Sequence, residues 1–209
     1  MSQEWLKETE SGGLRCGWCG DDAAYIAYHD TEWGRPVFDD QRLYEKLCLE
    51  GFQSGLSWLT ILRKRENFRA AFQHFDIEQV ARFTDDDVKR LMADAGIVRH
   101  RGKIEATINN AQRALELLDE TGSIASFIWK FASHLPYGRE IESRTIASTS
   151  NASIALSKDL KKRGWKFVGP TTVYSFMQSM GLVNDHFEQC HSREECEVQR
   201  LDLLAKLRV

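Results

Sequence analysis

The sequence predicts a compact all-α protein, and three observations carry this prediction. Prolines are scarce, with 3 among 209 residues, so few positions would interrupt a helix. Apolar residues recur at the three- to four-residue spacing of helices, whereas the alternation typical of half-buried strands is scarce. Hydrophobic residues make up 42% and charged residues 28% of the chain, which is ordinary for a globular protein that buries its core without disulfide bonds.

Four helix starts carry a side chain that can accept a hydrogen bond from a free backbone N–H group of the first turn. In chain order these are Asp21 or Asp22, Asp39 or Asp40, Ser57, and the run 84–87. The second of these helices is expected to end at Glu50-Gly51. Apolar side chains along one face indicate a longer helix over residues 101–119 and a short one around Phe127.

The second half of the chain is expected to contain two helices joined by a short turn. Residues 153–163 form the first of them, and Pro170 opens the second, which runs to Gly181. Residues 136–150 hold Pro, Gly and many Ser and Thr residues, which is typical of a long surface loop. In total we expect about eight to ten short helices.

One domain is expected over residues 14–190. The polar residues 1–13 end in Ser-Gly-Gly and indicate a flexible N-terminal extension. Residues 191–209 form a C-terminal tail, in which three apolar residues suggest a short amphipathic helix. These are Val198, Leu201 and Leu204.

The composition argues against membrane and secreted proteins. No apolar stretch approaches the ~20 residues that cross a bilayer, and the first ten residues lack the basic and apolar regions of a secretory signal. We therefore expect a cytoplasmic protein without membrane contact. The number of cysteines, 5, is odd, which favours metal binding or simple burial over a disulfide framework.

Two Cys/His pairs in distant parts of the chain have the residue types of a zinc site. Cys16 and His29 lie near the N-terminus, whereas His186 and Cys190, at i and i+4, share a helix face. Two Cys and two His supply the four ligands of a closed, structural zinc site. Such a site would join the N-terminal segment to the C-terminal one, although on spacing alone such a pairing is more often accidental than not.

Other cysteines and histidines compete for these positions. Cys16-x-x-Cys19 is itself a metal-ligand spacing, and His191 and Cys196 are alternatives on the C-terminal side. Cys48 follows Leu47 in an apolar helix and is expected in the core. The spacing therefore leaves the ligand set open.

The turn over residues 164–169 has features of a phosphate-binding site. Gly164 and Gly169 allow positive φ and leave backbone N–H groups uncovered. These N–H groups, with the positive end of the helix opened by Pro170, favour an anion, and Lys166 adds charge beside residues 161–163. The alternative is an ordinary turn between helices with a solvated basic face.

The formal net charge of −3 excludes only a protein that coats polyanions through bulk charge. Residues 63–69, 99–103 and 158–166 carry +3, +3 and +4, which leaves −13 for the rest of the chain. If these three basic runs fold onto one face, an acidic protein has a basic side that fits DNA.

Residues 18–58 combine aromatic side chains with a carboxylate. Trp and Tyr have polar tips that fit the wall of a site, and the candidates are Trp18, Tyr25, Tyr28, Trp33 and Trp58. The remaining aromatic residues of this segment, Phe38, Tyr44 and Phe52, are expected in the core. Glu50 interrupts an apolar helix end; among aromatic rings it would suit a flat, cationic heterocycle with an amino group. A solvent-facing Glu50 is the alternative.

Several strings in this region and beyond it closely resemble, in order, the family of 3-methyladenine DNA glycosylase I. They include YIAYHDTEWG over 25–34, LEGFQSGLSW over 49–58, GIVRHRGKI over 96–104 and KKRGWKFVG over 161–169. The resemblance spans residues 15–190. It implies a DNA glycosylase domain of the helix-hairpin-helix superfamily, with a zinc site that joins the two ends of the domain.

The resemblance also implies roles for individual residues. Cys16, His29, His186 and Cys190 match the family's zinc ligands. Glu50 matches its pocket carboxylate, Tyr28 its hydrogen-bonding tyrosine and Trp58 its base-stacking tryptophan, whereas other pocket walls are matched by Trp18, Tyr25 and Trp33. The implied reaction is the hydrolytic release of free 3-methyladenine from double-stranded alkylated DNA by a monomer, without a lyase step.

Base release from a duplex requires the nucleotide to leave the base stack. The small and apolar tip Gly55-Leu56 is expected to fill the space that the base vacates. Asp185 is the nearest candidate to assist a water molecule, but beside His186 we expect it to have a structural role. The alternatives are a glycosylase for other alkylated bases, a DNA-binding protein without catalysis, and a zinc-stabilised scaffold for protein partners.

Overall fold

Helices account for most of the structure. The computed structural model describes residues 5–132 and 147–207, and ten α-helices lie within these ranges. In chain order they are α1 (Ala23–Thr31), α2 (Asp40–Gln53), α3 (Trp58–Ala71), α4 (Ile77–Ala81), α5 (Asp85–Ala93), α6 (Arg101–Thr121), α7 (Ile124–Trp129), α8 (Asn151–Lys162), α9 (Pro170–Ser179) and α10 (Arg193–Leu207). The predicted all-α fold is confirmed, whereas the short helix α4 was not predicted.

The predicted helix starts are confirmed at their capping residues. The carboxylate of Asp22 accepts two backbone N–H groups in the first turn of α1. Asp39 caps α2 and Ser57 caps α3 in the same way. At α5 the Asp87 carboxylate accepts from the backbone N–H of Thr84 at 3.0 Å. Each cap pairs a donor that the helix leaves free.

Helix α2 runs through the core. All residues from 43 to 52 are buried, because α2 packs against α3, α6, α7 and α9. The Tyr44 hydroxyl donates to the Thr107 carbonyl of α6 at 2.8 Å. Tyr44 and Phe52 are buried as expected, whereas Phe38 is 42% exposed. Phe38 precedes α2 and lines a surface groove with Leu115, so the prediction that it lies in the core is wrong.

A small hairpin precedes the helices. Strand β1 (Leu6–Glu8) pairs with β2 (Leu14–Cys16) in antiparallel register. The Leu14 carbonyl also accepts from the backbone N–H of His191 at 2.8 Å. The flexible extension expected over 1–13 is therefore corrected for residues 6–8, which are held by backbone hydrogen bonds. The domain boundaries at residues 13 and 190 stay predictions.

Helix α10 forms most of the C-terminal tail. Its buried face carries Cys196, Arg200 and Leu204. Of the apolar face expected there, only Leu204 is buried, whereas Val198 and Leu201 are 54% and 44% exposed. The Arg200 guanidinium can be buried because it pairs with Glu197 of the same helix at 2.6 Å.

Two further predictions concern a long surface loop and membrane-spanning helices. The loop expected over 136–150 falls, up to residue 146, outside the described residues. Among the ten helices, none combines the length and the apolar character that a bilayer crossing requires.

A close backbone approach after α9 generates a stability prediction. Gly181 has φ of +72°, and a Cβ atom there would lie 2.6 Å from the carbonyl carbon of Arg35. Gly122 has a similar φ of +74° but open space around it. We expect Gly122→Ala to cost about 1–2 kcal/mol for the left-handed conformation. Gly181→Ala should cost roughly 1–3 kcal/mol more, because the backbone has to move.

Urea denaturation of the two variants measures this difference directly. Equal losses of unfolding free energy in Gly122→Ala and Gly181→Ala would show that the contact with Arg35 is not a tight one.

Candidate active site and Cys/His cluster

A cavity of 230 Å³ brings the predicted pocket residues together. Its walls come from the segment before α1, from α1 to α3, and from α9 and the chain beyond it. All six predicted residues line it, namely Trp18, Tyr25, Tyr28, Trp33, Glu50 and Trp58. Four further lining residues were not predicted as walls: Gln53, Ser175, Gln178 and Asp185. Ser175 and Gln178 lie on α9, far along the chain from the other walls, and they reach the cavity because α9 packs on α2.

The aromatic walls form a connected set of rings. Trp18 contacts Tyr25 and Trp33 edge-on, with ring centroids 5.1 and 4.9 Å apart. Tyr28 lies 5.4 Å from Trp58. The cavity therefore combines these aromatic rings with polar side chains, namely Glu50, Gln53, Ser175, Gln178 and Asp185. Such a pocket suits a planar, hydrogen-bonding ligand.

Glu50 is 4% exposed and forms a buried ion pair. Its Oε1 accepts from Nζ of Lys46, one helical turn earlier, at 2.9 Å. Lys46 Nζ also donates to the Tyr28 hydroxyl at 2.8 Å and lies 3.1 Å from the ring centre of Trp58. Burial lowers the pKa of Lys46 to about 8, against the opposing effect of Glu50. The solvent-facing alternative for Glu50 is thereby excluded.

Lys46 was not predicted from the sequence as part of the site. The signal was present, since Lys46 and Glu50 are charged residues at i and i+4 within an apolar run. Such a pair is typical of exposed helix faces, and only the packing around α2 shows that this one is buried.

Asp185 lies at the pocket and is also tied to the fold. Its Oδ2 accepts from the Tyr174 hydroxyl at 2.5 Å and from the Gln178 amide at 2.8 Å. Both partners belong to α9. These bonds agree with the structural role expected for Asp185, and they hold the next residue, His186, close to α9.

The four predicted metal ligands form a buried cluster. Their ligand atoms all lie within 4.8 Å of one another. Cys190 Sγ lies 3.5 Å from both His29 Nε2 and His186 Nδ1, and Cys16 Sγ lies 3.7 Å from His186 Nδ1. Tetrahedral Zn²⁺ with its usual bond lengths would hold S and N atoms about 3.6 Å apart. These three S···N distances match that spacing.

Neighbouring groups orient both imidazoles. His29 Nδ1 donates to the Asp30 carboxylate at 2.7 Å, and His186 Nε2 donates to the Trp33 carbonyl at 3.1 Å. In the neutral tautomer that matches these bonds, the other nitrogen of each ring, which faces the cysteines, carries the lone pair. Metal-bound histidines are oriented in the same way. Two Arg15 nitrogens bind the Asp30 carboxylate in turn, at 2.6 and 2.7 Å.

The competing ligand candidates lie outside the cluster. The Cys19 thiol donates to the Cys16 carbonyl at 3.1 Å. His191 contacts the Asp30 carboxylate at 3.2 Å, behind His29. Cys196 lies 3.6 Å from His186 Nε2, the nitrogen turned away from the other two cysteines. Within the described residues, a second group that could hold a metal ion consists of His29, Asp30 and His191.

The tip formed by Gly55 and Leu56 lies next to the pocket. The Leu56 side chain is 40% exposed. The backbone directly before the tip is fixed by a buried side chain. Lys103 Nζ donates to the carbonyls of Phe52 and Ser54 at 2.7 and 2.6 Å. These bonds satisfy backbone acceptors at the end of α2.

The turn between α8 and α9 corrects part of the phosphate-site prediction. Gly164 has φ of +84°, but Gly169 has φ of −63°, because a residue before proline favours extended backbone. The second left-handed residue is Phe167, with φ of +56°. The N–H groups of residues 164–166 already donate within the protein. Within the described structure, those of 167–169 have no partner.

Most guanidinium groups of the basic runs are paired with carboxylates, which the charge sums did not reveal. The pairs, at 2.5 to 2.8 Å, are Arg63 with Asp22, Arg65 with Glu32, Arg69 with Glu45, and Arg163 with Glu120. Their positive charge is largely compensated locally. The basic runs therefore offer DNA fewer free cations than their net charges suggest.

Comparison with known proteins gives one consistent result. A family model described as methyladenine glycosylase matches residues 18–194. DNA-3-methyladenine glycosylase 1 of Escherichia coli (strain K12) is 52% identical over 177 residues, which cover 84% of this chain and 95% of that protein.

Solved structures agree with this relationship. A crystal structure of 3-methyladenine DNA glycosylase I is 50% identical, with a TM-score of 0.81, and the match covers 85% of this chain and 98% of that one. The enzyme from Staphylococcus aureus, solved to explain 3-methyladenine recognition, is 41% identical with a TM-score of 0.80, covering 86% and 96%. The chain belongs to the methyladenine glycosylase family.

Proposed function

We propose that this protein releases 3-methyladenine from alkylated double-stranded DNA by hydrolysis of the N-glycosidic bond. The observation that carries the proposal is the cavity in which aromatic walls surround the Glu50 carboxylate. Relatives named for this activity, one of them solved to explain recognition of this base, support it. The damaged nucleotide has to leave the duplex to reach such a pocket.

The pocket chemistry matches this base. Adenine methylated at N3 in DNA is cationic, so aromatic ring faces attract it. In our proposal Trp58 stacks on the base, Glu50 accepts from its exocyclic amine, and Tyr28 supplies a second hydrogen bond. Trp18, Tyr25 and Trp33 complete the walls. The bond to a cationic leaving group is already weak, so Glu50 acts by stabilising positive charge that develops on the sugar.

Two surface elements beside the pocket are proposed to hold the DNA. Leu56 at the tip with Gly55 enters the base stack and occupies the space of the displaced nucleotide. The turn from Gly164 to Gly169 contacts phosphates. Its free N–H groups are those of residues 167–169, and the exposed Lys166 adds a cation. This turn between α8 and α9 would serve as the helix-hairpin-helix element.

The Cys/His cluster is proposed to hold structural zinc. Cys16, His29, His186 and Cys190 would supply all four ligands, which leaves no position for a catalytic water. When bound, the ion would fix β2 and α1 to the chain after α9. The catalytic groups remain those of the pocket.

The protein is proposed to act as a monomer in the cytoplasm. The pocket and the cluster are built from one chain. None of the five cysteines forms a disulfide bond, in agreement with a reducing compartment.

Replacing Glu50 tests its catalytic role. We expect Glu50→Gln to lower single-turnover release of 3-methyladenine by about 100-fold, the usual cost of losing one electrostatic partner of the transition state. Chromatography of the bases released from methylated DNA gives the rate. Glu78→Gln, an exposed carboxylate on α4, is the control. Normal release by a folded Glu50→Gln variant would remove the assignment, and release of another base would change the proposed substrate.

Replacing Leu56 tests the proposed DNA wedge. Leu56→Ala should slow excision from duplex DNA by about tenfold, since unstacking costs a few kcal/mol that the side chain helps to offset. Excision from single-stranded DNA should change little. Leu201→Ala removes an equally exposed leucine on α10 and should have no effect. An unchanged duplex rate in Leu56→Ala excludes the wedge.

Metal content tests the zinc site. Purified protein should contain about one zinc ion per chain by mass spectrometry of the elements, because its four ligands form a closed site. Cys190→Ser should lose the ion and unfold at lower temperature, whereas Cys19→Ser should keep it. A folded, active preparation without metal contradicts the proposal.

A further inference from the structure

The buried Lys46 ammonium lies behind the pocket wall and touches three residues that form it. Its side chain is 7% exposed, and Lys46 does not itself line the cavity. We propose that Lys46 is a positioning residue, which makes Tyr28 a hydrogen-bond donor and Glu50 an acceptor toward the pocket and thereby selects adenine-type bases. This inference rests on the proposed function, and it assigns Lys46 as the residue that determines which type of base the pocket prefers.

The three N–H groups of the ammonium have three separate targets. They are the Glu50 carboxylate at 2.9 Å, the Tyr28 hydroxyl at 2.8 Å and the ring face of Trp58, 3.1 Å from its centre. A protonated lysine is a donor only. Each contact therefore has one possible direction, from Lys46 to its neighbour.

This direction determines what Tyr28 offers a ligand. Its hydroxyl oxygen accepts from Lys46, so its single hydrogen is free to point into the cavity that Tyr28 lines. Without a charged donor behind it, the hydroxyl could rotate and present a lone pair instead.

Glu50 presents the complementary group. One of its oxygens is bound by Lys46, and the carboxylate, which lines the cavity, has acceptor capacity left. A donor beside an acceptor matches an adenine edge, where N7 accepts and the 6-amino group donates. A guanine edge offers acceptors at both N7 and O6, so Glu50 would repel it.

The groups around Lys46 make this arrangement sensitive to pH. It faces Glu50 on its own helix, Tyr28 of α1, Glu32 directly after α1, and Trp58 and Arg65 of α3. Burial lowers the pKa of Lys46 to about 8. Above that pH the amine gains a lone pair, to which the Tyr28 hydroxyl can donate. The donor pattern in the pocket is then lost.

Lys46→Met tests the proposal because methionine fills the same buried space without charge or donors. We expect release of 3-methyladenine from methylated DNA to slow by about tenfold or more, as for lost hydrogen bonds to a charged group. Binding of free 3-methyladenine over free 3-methylguanine, followed by tryptophan fluorescence, should lose about tenfold in selectivity for the same reason. Lys89→Met removes an exposed lysine of α5 and should match the wild type.

Two readouts separate positioning from general packing. Wild-type binding of 3-methyladenine should weaken above about pH 8, while Lys46→Met lacks this alkaline decline. In a Tyr28→Phe background Lys46→Met should cause a smaller further loss of selectivity than in the wild type, because part of its effect passes through that hydroxyl. Independent, additive losses would instead indicate a structural role and overturn the proposal.

Ligand binding weakens as the pH rises above about 8, whereas the contribution of Lys46 to the free energy of unfolding increases. Because the pKa of Lys46 is lower in the folded than in the unfolded protein, unfolding takes up a proton between about pH 8 and 10.5. The contribution of Lys46 therefore stabilises the fold increasingly over that range, so the deprotonation of Lys46 does not itself promote unfolding there.

The outcomes distinguish this proposal from the function on which it rests. If the wild type releases no 3-methyladenine, the proposed function fails. If the wild type releases it and Lys46→Met keeps normal rate, selectivity and alkaline decline, only the role of Lys46 fails. If Lys46→Met does not fold, the wild-type profile decides, and binding that stays constant from pH 7 to about pH 9.5 overturns the proposal.

Discussion

The burial of helix α2 on all sides is the constraint on which the site depends. Residues 43–52 are buried without interruption, yet three of them carry charge. A buried charge without a partner costs several kcal/mol, so each has to find a partner inside the fold. Glu45 is paired with Arg69 of α3 at 2.8 Å, and Lys46 with Glu50. Of these residues Glu50 lines the pocket, and its partner Lys46 lies directly behind the pocket wall.

The pocket and the Cys/His cluster share their supports. Tyr28 and His29 are consecutive on α1, and Asp185 and His186 are consecutive after α9; in each pair the first lines the cavity and the second belongs to the cluster. Trp33 joins both, since its ring lines the cavity and its carbonyl accepts from His186. An ion bound by the cluster would therefore also fix the positions of Tyr28 and Asp185 relative to each other in the pocket wall.

Local pairing explains how an acidic protein can have a limited DNA-binding surface. The arginines of the run 63–69 bind carboxylates from α1, α2 and nearby turns, so they act in packing rather than as free cations. Unpaired basic groups are concentrated near the turn between α8 and α9, where Lys161, Lys162 and Lys166 are exposed. If this turn binds phosphates as proposed, its few cations and backbone N–H groups would give a modest affinity for DNA, and selectivity would be left to the pocket.

The sequence by itself determined the helices and their caps, because a capping side chain and its N–H partner lie within a few residues. It also identified the aromatic walls, Glu50 and the four cluster residues, through their residue types and their resemblance to a family. Only the tertiary structure showed that Phe38 is exposed, that residues 6–8 pair in a strand and that Lys46 lies behind Tyr28. These outcomes depend on which side chains from distant segments meet, and burial then decides whether a charge faces water or a partner.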